Sequence, residues 1–409
     1  MSLTLAPRPY QIEGRDFLAG RRHALLADEM RVGKTPQAIL AAHKAGARTM
    51  LVVCPAVAVP QWEREIERWW PGGPLPRTRV WSYDKARTEW VMGTRGAVDV
   101  FIPDECHFAG NPEAARTRMV YGKHGFAWYA GAVWPLSGTP APKSAASLWP
   151  MLRAFGVIGM AYEDFLTRYC TLRPMSWVPT GTKVAMIPEL KAMLATVMLR
   201  RTRRQVRPDM PDIGFSLLSV KPETSTSYVV PPRMTDDALL EWLAVNEHAN
   251  REDRVEVALA KAGPLAEEIA LALNNGLFKQ TVVFGWHIAP LEWLAGTLNA
   301  RGLRAAAITG KTPRGERERI QSEFRAGRLD VVCANILAAG TAIDLSAARH
   351  GYFLELDWVP GNNVQAANRL VSLDRSEAVT FDVVTWPGSA DDRVQKVLLT
   401  RVAQLAKLV

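Results

Sequence analysis

The segment Ala27-Asp28-Glu29-Met30-Arg31-Val32-Gly33-Lys34-Thr35 ends in three residue types that together bind phosphate. Glycine lets backbone N–H groups approach phosphate oxygens, lysine reaches the β- and γ-phosphates, and the threonine hydroxyl is a ligand for Mg2+. Far downstream, Asp104-Glu105-Cys106-His107 follows an apolar run from Val98 to Pro103. There Asp104 can share the metal with Thr35, and Glu105 can orient an attacking water. A buried Asp-Glu pair with no metal to bind would be costly, so a purely structural role is the weaker reading. Lys34, Asp104 and Glu105 are the candidate catalytic groups, Met30, Arg31, Val32, Gly33, Lys34 and Thr35 the candidate phosphate loop, and the chemistry is triphosphate hydrolysis.

Such groups need a strand, a tight loop and a helix to carry them. Ala24 to Ala27 reads as a short strand and Thr35 to Ala45 as a helix, whose N-terminus favours anions. Around them, Pro9 to Leu18 and Gln61 to Trp70 read as helices. Thr49 to Cys54, Val80 to Tyr83 and Val98 to Ile102 read as strands. From Ser147 to about Arg204 the pattern is helical and ends in the basic cluster Arg200-Arg201-Thr202-Arg203-Arg204. Pro208, Pro211, Pro222, Pro231 and Pro232 then punctuate a linker, and Met234 to Leu273 is helical again. A second alternating block places strands at Thr281 to Phe284, Ala305 to Ile308, Val331 to Ala334, Tyr352 to Leu356 and Val379 to Thr385. The predicted class is α/β: two lobes, each a mostly parallel sheet with helices on both faces, with helical insertions between them. The expected boundaries are 1–146 for the first, nucleotide-binding lobe, 147–215 for a helical insertion with the basic turn, 216–235 for a linker, 236–275 for a second helical insertion, and 276–409 for the second lobe with its C-terminal helix.

At 409 residues, two or three domains are expected. No uncharged apolar run is long enough to span a membrane, and Met1 to Tyr10 lacks the features of a signal peptide. Cys54, Cys106, Cys170 and Cys333 are scattered without metal or disulfide spacing, which predicts reduced thiols in a cytoplasmic protein. The net charge of +9 suits a polyanionic partner, although charge alone does not identify one. The 14 tryptophans could stack on bases or fill cores.

The ordered motifs resemble the Snf-type translocase family of superfamily-two helicases over nearly the whole chain. Arg8-Pro9-Tyr10-Gln11 with Gly14 and Phe17 resembles its N-terminal motif, which implies Gln11 on the adenine base. Asp28-Glu29-Met30 before Gly33-Lys34-Thr35 is similar to its phosphate loop, Val53-Cys54-Pro55 with Gln61-Trp62-Glu63-Arg64-Glu65 to the next motif, and Ser82-Tyr83 to the one after. Leu136-Ser137-Gly138-Thr139-Pro140 resembles the segment coupling hydrolysis to motion, and Leu199-Arg200-Arg201-Thr202 the basic turn. Tyr162 to Cys170 is closest to the annealing-helicase branch. Downstream, Thr309-Gly310 with Arg317 to Phe324, then Ala339-Gly340-Thr341-Ala342-Ile343-Asp344-Leu345, then Trp358, Pro360, Gln365-Ala366 and Arg369 resemble the motifs of the second lobe. The resemblance implies two RecA-like lobes, ATP and Mg2+ as cofactors, and Gly340, Asp344, Gln365 and Arg369 as further nucleotide-binding groups, with Arg369 catalytic. It also implies duplex DNA as partner, contacted near Pro55, Tyr83, Ser137, Arg200, Arg201, Gly310 and Gly340. The duller reading of the arginine cluster is a solvated helix end.

The chain departs from the family pattern at Arg31 and Ala342, which stand where glycine is expected, and at Ser372, where the final motif has a second arginine. An arginine facing the γ-phosphate is worth roughly 10³–10⁵ in rate. Arg375 could substitute or could be a surface charge. The leading expectation is a DNA-stimulated ATPase translocating on duplex DNA, monomeric and without a membrane. The alternative is a hydrolysis-impaired ATP- and DNA-binding clamp, and a strand-separating or RNA-directed helicase is a third. With no nuclease, zinc-finger or chromatin-reading motif, a compact motor of the prokaryotic or phage cytoplasm is expected. His107 is expected to couple lobes and His287 to be structural.

Overall fold

The computed structural model describes residues 6–94, 96–173, 175–208, 213–222, 234–236, 238–239, 242, 246, 251–339, 343–372 and 377–408. The chain divides near Arg207–Pro208 into two compact units.

In the first unit the chain runs α1 (Pro9–Ala19), β1 (Leu25–Leu26), α2 (Lys34–Lys44), β2 (Thr49–Cys54), α3 (Val59–Trp69), β3 (Arg77–Ser82), α4 (Tyr83–Val91) and β4 (Val98–Pro103). It continues through α5 (Ala115–Tyr121), α6 (Phe126–Tyr129), β5 (Ala130–Val133), α7 (Trp149–Ala154), α8 (Tyr162–Tyr169), β6 (Cys170–Leu172), β7 (Pro179–Thr182), α9 (Ile187–Ala195) and β8 (Met198–Leu199). Strands β3, β2, β4 and β5 pair in that order, all parallel. Parallel bridges His23–Val133 and Leu26–Leu136 carry the sheet on to β1, which pairs with β8. Being covered on both faces, β2 and β4 read as near-continuous apolar runs, which is why both were legible in the sequence. Val80 to Tyr83 was expected as a strand; it ends at Ser82, whose hydroxyl accepts the Lys85 N–H and starts α4.

The stretch from Ser147 onward is not purely helical, because β6 and β7 form a small antiparallel ladder and β8 joins the main sheet edge. Its residues share a core with the first lobe: Leu25, Ala27 and Cys106 pack in one cluster with Leu152, Phe165, Leu190 and Leu194.

The second unit holds six parallel strands in the order β11 (Ala305–Ile308), β12 (Val331–Asn335), β10 (Thr281–Gly285), β13 (His350–Phe353), β14 (Thr380–Thr385) and β9 (Gly214–Ser219). Strand β9 corrects the sequence reading, which ran the helical insertion to residue 215 and the linker from 216. Its mostly exposed residues, with only Phe215 and Leu218 half-buried, suit an edge strand. Helices Arg251–Asn274, Ile288–Ala300, Arg314–Arg325, Pro360–Ala367 and Ala390–Leu408 belong to the same unit. Much of the predicted linker and the start of the second helical insertion lie outside the described residues, as do Gly340, Thr341, Ala342 and Arg375.

No described helix is long and apolar enough to cross a membrane.

Candidate nucleotide site

The phosphate loop bridges β1 and α2. Gly33 has φ +85° and is the N-cap of α2, where a Cβ would come within 2.6 Å of the Gln11 side-chain nitrogen. Glycine is therefore required twice, for its backbone and for its neighbour. Gln11 is buried at the start of α1, its side-chain oxygen accepting the Arg8 N–H. The loop thus has Gln11 against it.

Arg31 lies at φ +67°. The position demands the left-handed backbone that the family pattern meets with glycine, and this chain holds an arginine there. Left-handed backbone costs an L-residue about 1–2 kcal/mol. A β-branched residue there is expected to lose about 1–2 kcal/mol of stability and to weaken nucleotide binding, whereas Arg31→Gly trades relieved strain against chain entropy and stays near wild type. Thermal unfolding and nucleotide titration of Arg31→Val beside Arg31→Gly check this; equal behaviour of the two would exclude strain at this position.

Lys34 opens α2, and its Nζ donates to the carbonyl oxygens of Asp28 at 2.8 Å and Glu29 at 3.3 Å. Enclosure lowers its pKa, against the opposing fields of Glu105, Asp28 and Asp104. The loop and the Asp-Glu pair are therefore electrostatically one site.

Asp104 and Glu105 follow β4. Asp104 is held on every side: Oδ2 accepts the Trp62 indole N–H at 2.8 Å, Oδ1 accepts the Glu105 N–H at 2.9 Å, and its backbone oxygen accepts the Tyr83 hydroxyl at 2.9 Å. Burial, then the neighbouring Glu105 charge, pushes its pKa up to about 6. Glu105 takes the left-handed conformation, φ +48°, unusual for a residue with a side chain. Strain of this kind collects where a side chain must be aimed. His107 is partly buried, its ring 3.1 Å from the Ser137 hydroxyl, and desolvation lowers its pKa to about 4, so the ring is neutral at physiological pH. Ser137 Oγ also accepts the Thr139 N–H.

One carboxylate and one hydroxyl suit Mg2+, which keeps most of its positions for water and substrate phosphate. Consistently, no group of three or more His, Cys, Asp or Glu side chains suited to a metal occurs among the described residues. Asp104 and Thr35 would hold the ion, which would neutralise phosphate charge.

Trp62→Phe is expected to raise the Asp104 pKa further, because the lost N–H favours the ionised carboxylate. A hydrogen bond to a charge is worth about 1.5–3 kcal/mol, so the acid limb of Mg2+-dependent turnover should move up by about one pH unit or more. A pH–rate profile with an unmoved limb would sink this role for Trp62.

Four of the expected nucleic-acid contacts have inward partners in the fold. Arg201 is buried: its backbone N–H and Nε reach Asp28 Oδ1, Nη2 reaches Asp28 Oδ2 at 2.6 Å and the Gln37 side-chain oxygen at 2.7 Å, and Nη1 reaches the Tyr10 carbonyl and Glu13. Arg200 is turned inward to the carbonyls of Ala27 and Gly138. Tyr83 and Ser137 are buried with the hydroxyl contacts just given. Phosphate backbone contacts need exposed donors; Arg201, Tyr83 and Ser137 are buried, and Arg200 is half-buried with Nη1 committed to backbone carbonyls. Arg203 is likewise buried and paired with Glu29, so of the four arginines in the cluster only Arg204 is an exposed charge. Pro55 is half-buried at the end of β2, and Gly310 is exposed in a turn braced by Arg317, whose guanidinium donates to the carbonyls of Thr309 and Thr312.

The sequence reading gave no role to Asp28 as an anchor, to Gln37, or to Trp62 as the holder of Asp104. Gly14 belongs with them: a Cβ there would meet the Gln37 side chain at 1.7 Å and Arg201 Nη2 at 2.8 Å.

In the second unit Gln365 is buried on the Pro360–Ala367 helix, and Arg369 follows it, its carbonyl accepting the Leu345 N–H. Asp344 pairs with Arg325 and accepts the Ser346 N–H. His287 donates to Glu355, which despite its burial stays ionised with a pKa of about 2 through that bond and the nearby Arg254. His287 is thus held against Glu355 within this unit.

Two domain families match the chain: the SNF2-related domain over residues 10–103 and the helicase conserved C-terminal domain over residues 262–373. Among curated proteins, the chain is 26% identical over 430 residues to SWI/SNF-related matrix-associated actin-dependent regulator of chromatin subfamily A-like protein 1 of Xenopus tropicalis, covering 98% of this chain and 44% of that protein. It is 26% identical over 448 residues to the DNA annealing helicase and endonuclease ZRANB3 of Bos taurus, covering 97% of this chain and 40% of that one. The chain thus spans about half the length of the curated relatives it matches. The Pyrococcus furiosus Hef helicase domain shares the fold, with a TM-score of 0.54 at 14% identity, over 97% of this chain and 98% of the other.

Proposed function

We propose, from the premise that the chain belongs to the SNF2 family of helicase-like ATPases with two RecA-like lobes, that it hydrolyses ATP and uses the cycle to translocate on duplex DNA. The observation that carries the reading is the single electrostatic site formed by Lys34, Asp104 and Glu105 at the ends of β1 and β4. Gln11, Met30, Arg31, Val32, Gly33 and Thr35 complete the nucleotide seat. Asp344, Gln365 and Arg369, with Gly340, are the nucleotide groups proposed for the second unit. Lys34 carries phosphate charge, Glu105 orients the attacking water, and Arg369 stabilises charge developing on the γ-phosphate. The DNA contacts are drawn from Pro55 and Gly310, with Gly340. The proposed working form is a monomer. The net charge of +9 and relatives named as acting on DNA support a DNA partner.

The proposed setting is the reducing cytoplasm of a prokaryotic or phage-infected cell. Support for a reducing compartment comes from four cysteines that are all free and buried. The clamp reading draws on Arg31, Ala342 and Ser372; the two domain matches favour the motor.

The test is phosphate release with and without duplex DNA, single-stranded DNA and RNA, with Lys34→Ala as control. Turnover raised most by duplex is expected. Absence of turnover in every condition would overturn the enzymatic claim, and stimulation by RNA alone would overturn the choice of partner.

A further inference from the structure

A cavity of about 650 Å³ opens in the first unit, walled by α5, α6, α7 and the turn at Arg22–His23. None of the residues Met30 to Thr35, nor Asp104 or Glu105, lines it. Three independent features mark it. Its wall holds four cations, Arg22, Arg118, Lys123 and Arg153, and no carboxylate. A concave surface of one sign concentrates anions. Its rim holds Trp128 with 60% of its surface in water, a costly placement for an indole and a ready stacking face for an aromatic ligand. Its wall holds two buried hydroxyls, on Thr117 (3% exposed) and Tyr121, that have no hydrogen-bond partner among the described residues. These lie four residues apart on α5, hence on one face of the helix. Leaving a buried hydroxyl unmatched is unfavourable, and a ligand polar atom would match it.

Cations, an exposed indole and paired hydroxyls are the complement of a phosphate, a base and a polar base or sugar edge. We propose that this cavity binds a nucleotide unit, with its phosphate at Arg22, Lys123 and Arg153 and its base against Trp128. The unit can come from single-stranded DNA or from a free nucleoside monophosphate. Because its readout is binding, the inference stands or falls separately from ATP hydrolysis.

The experiment uses the full chain with a fluorescent short oligothymidylate and, in a second arm, thymidine monophosphate. Trp128→Ala is expected to weaken binding about tenfold, the usual value of a stacked base. Lys123→Gln with Arg153→Gln should lower the salt slope of oligonucleotide binding by roughly 1.4, at about 0.7 per phosphate contact on single strands. Thr117→Val should weaken binding with the slope unchanged. All four side-chain changes keep the fold if the thermal midpoint stays put, as expected for exposed Trp128, Lys123 and Arg153 and a near-isosteric Thr117 change. Binding of the oligonucleotide alone assigns the strand as source, and comparable binding of the monophosphate assigns the free nucleotide. The proposal is overturned if neither ligand binds, if Trp128→Ala binds both as wild type does, or if inorganic polyphosphate matches the oligonucleotide in affinity and in its response to Trp128→Ala.

Discussion

Glu105→Gln is expected to reduce ATP turnover by about 10²–10⁴ while leaving nucleotide affinity close to wild type, the range for a positioned proton acceptor. The amide keeps the size of the side chain and loses its charge and its capacity to take a proton. The φ of +48° and the hydrogen bonds around Asp104 do not involve the Glu105 side chain, so the substitution preserves them. It also removes the charge that helps raise the Asp104 pKa, so Asp104 should ionise at lower pH in the variant. Mg2+ binding should then persist to more acid pH even as hydrolysis fails. The opposite pattern, affinity lost and turnover per bound nucleotide kept, would assign Glu105 to binding. Single-turnover hydrolysis beside a nucleotide titration separates the two.

Arg201→Ala is expected to cost about 3–5 kcal/mol of stability, the range for removing one member of a buried ion pair. Asp28 is fully buried, and three of its bonds come from Arg201, two of them from the guanidinium. Truncation leaves Asp28 with the Gln37 amide and the backbone N–H of residue 201. Arg201→Lys should recover little, because one ammonium cannot span Asp28, Gln37 and the Tyr10 carbonyl together. Urea unfolding of the full chain measures the loss. A variant as stable as wild type that instead binds DNA more weakly would restore the sequence-based assignment of Arg201 to the phosphate backbone.

These two residues mark what the sequence makes legible. The proposed roles of Lys34, Asp104 and Glu105 rest on chemistry that belongs to their own side chains, and that of Gly33 on its backbone, so type, order and neighbouring strands were enough to nominate them. Arg200, Arg201, Tyr83 and Ser137 were read from charge or motif position, and their roles depend on partners distant in the chain. Nothing near Arg201 announces Asp28. Strand β9 was missed for a related reason: an edge strand among prolines has no strong local pattern, and its strand character comes from pairing with β14. Arg31 was flagged from the family pattern, and the left-handed backbone explains why glycine is usual there. The cavity beside Trp128 had no sequence signal, since four cations on separate segments become one surface only in the fold.

The pairing of Asp28 with Arg201 also sets a timetable. The two residues are 173 positions apart, and β8, which completes the edge beside β1, immediately precedes Arg201. At ribosomal speeds of about 5–20 residues per second, the loop would emerge roughly 10–35 s before its anchor. Until then Asp28 has no guanidinium. A nascent chain stopped at residue 146 carries every phosphate-binding residue of the first lobe and still lacks the splint that shapes them. Competence to hold nucleotide should thus switch on late in synthesis, when the chain passes Arg201, rather than grow with length.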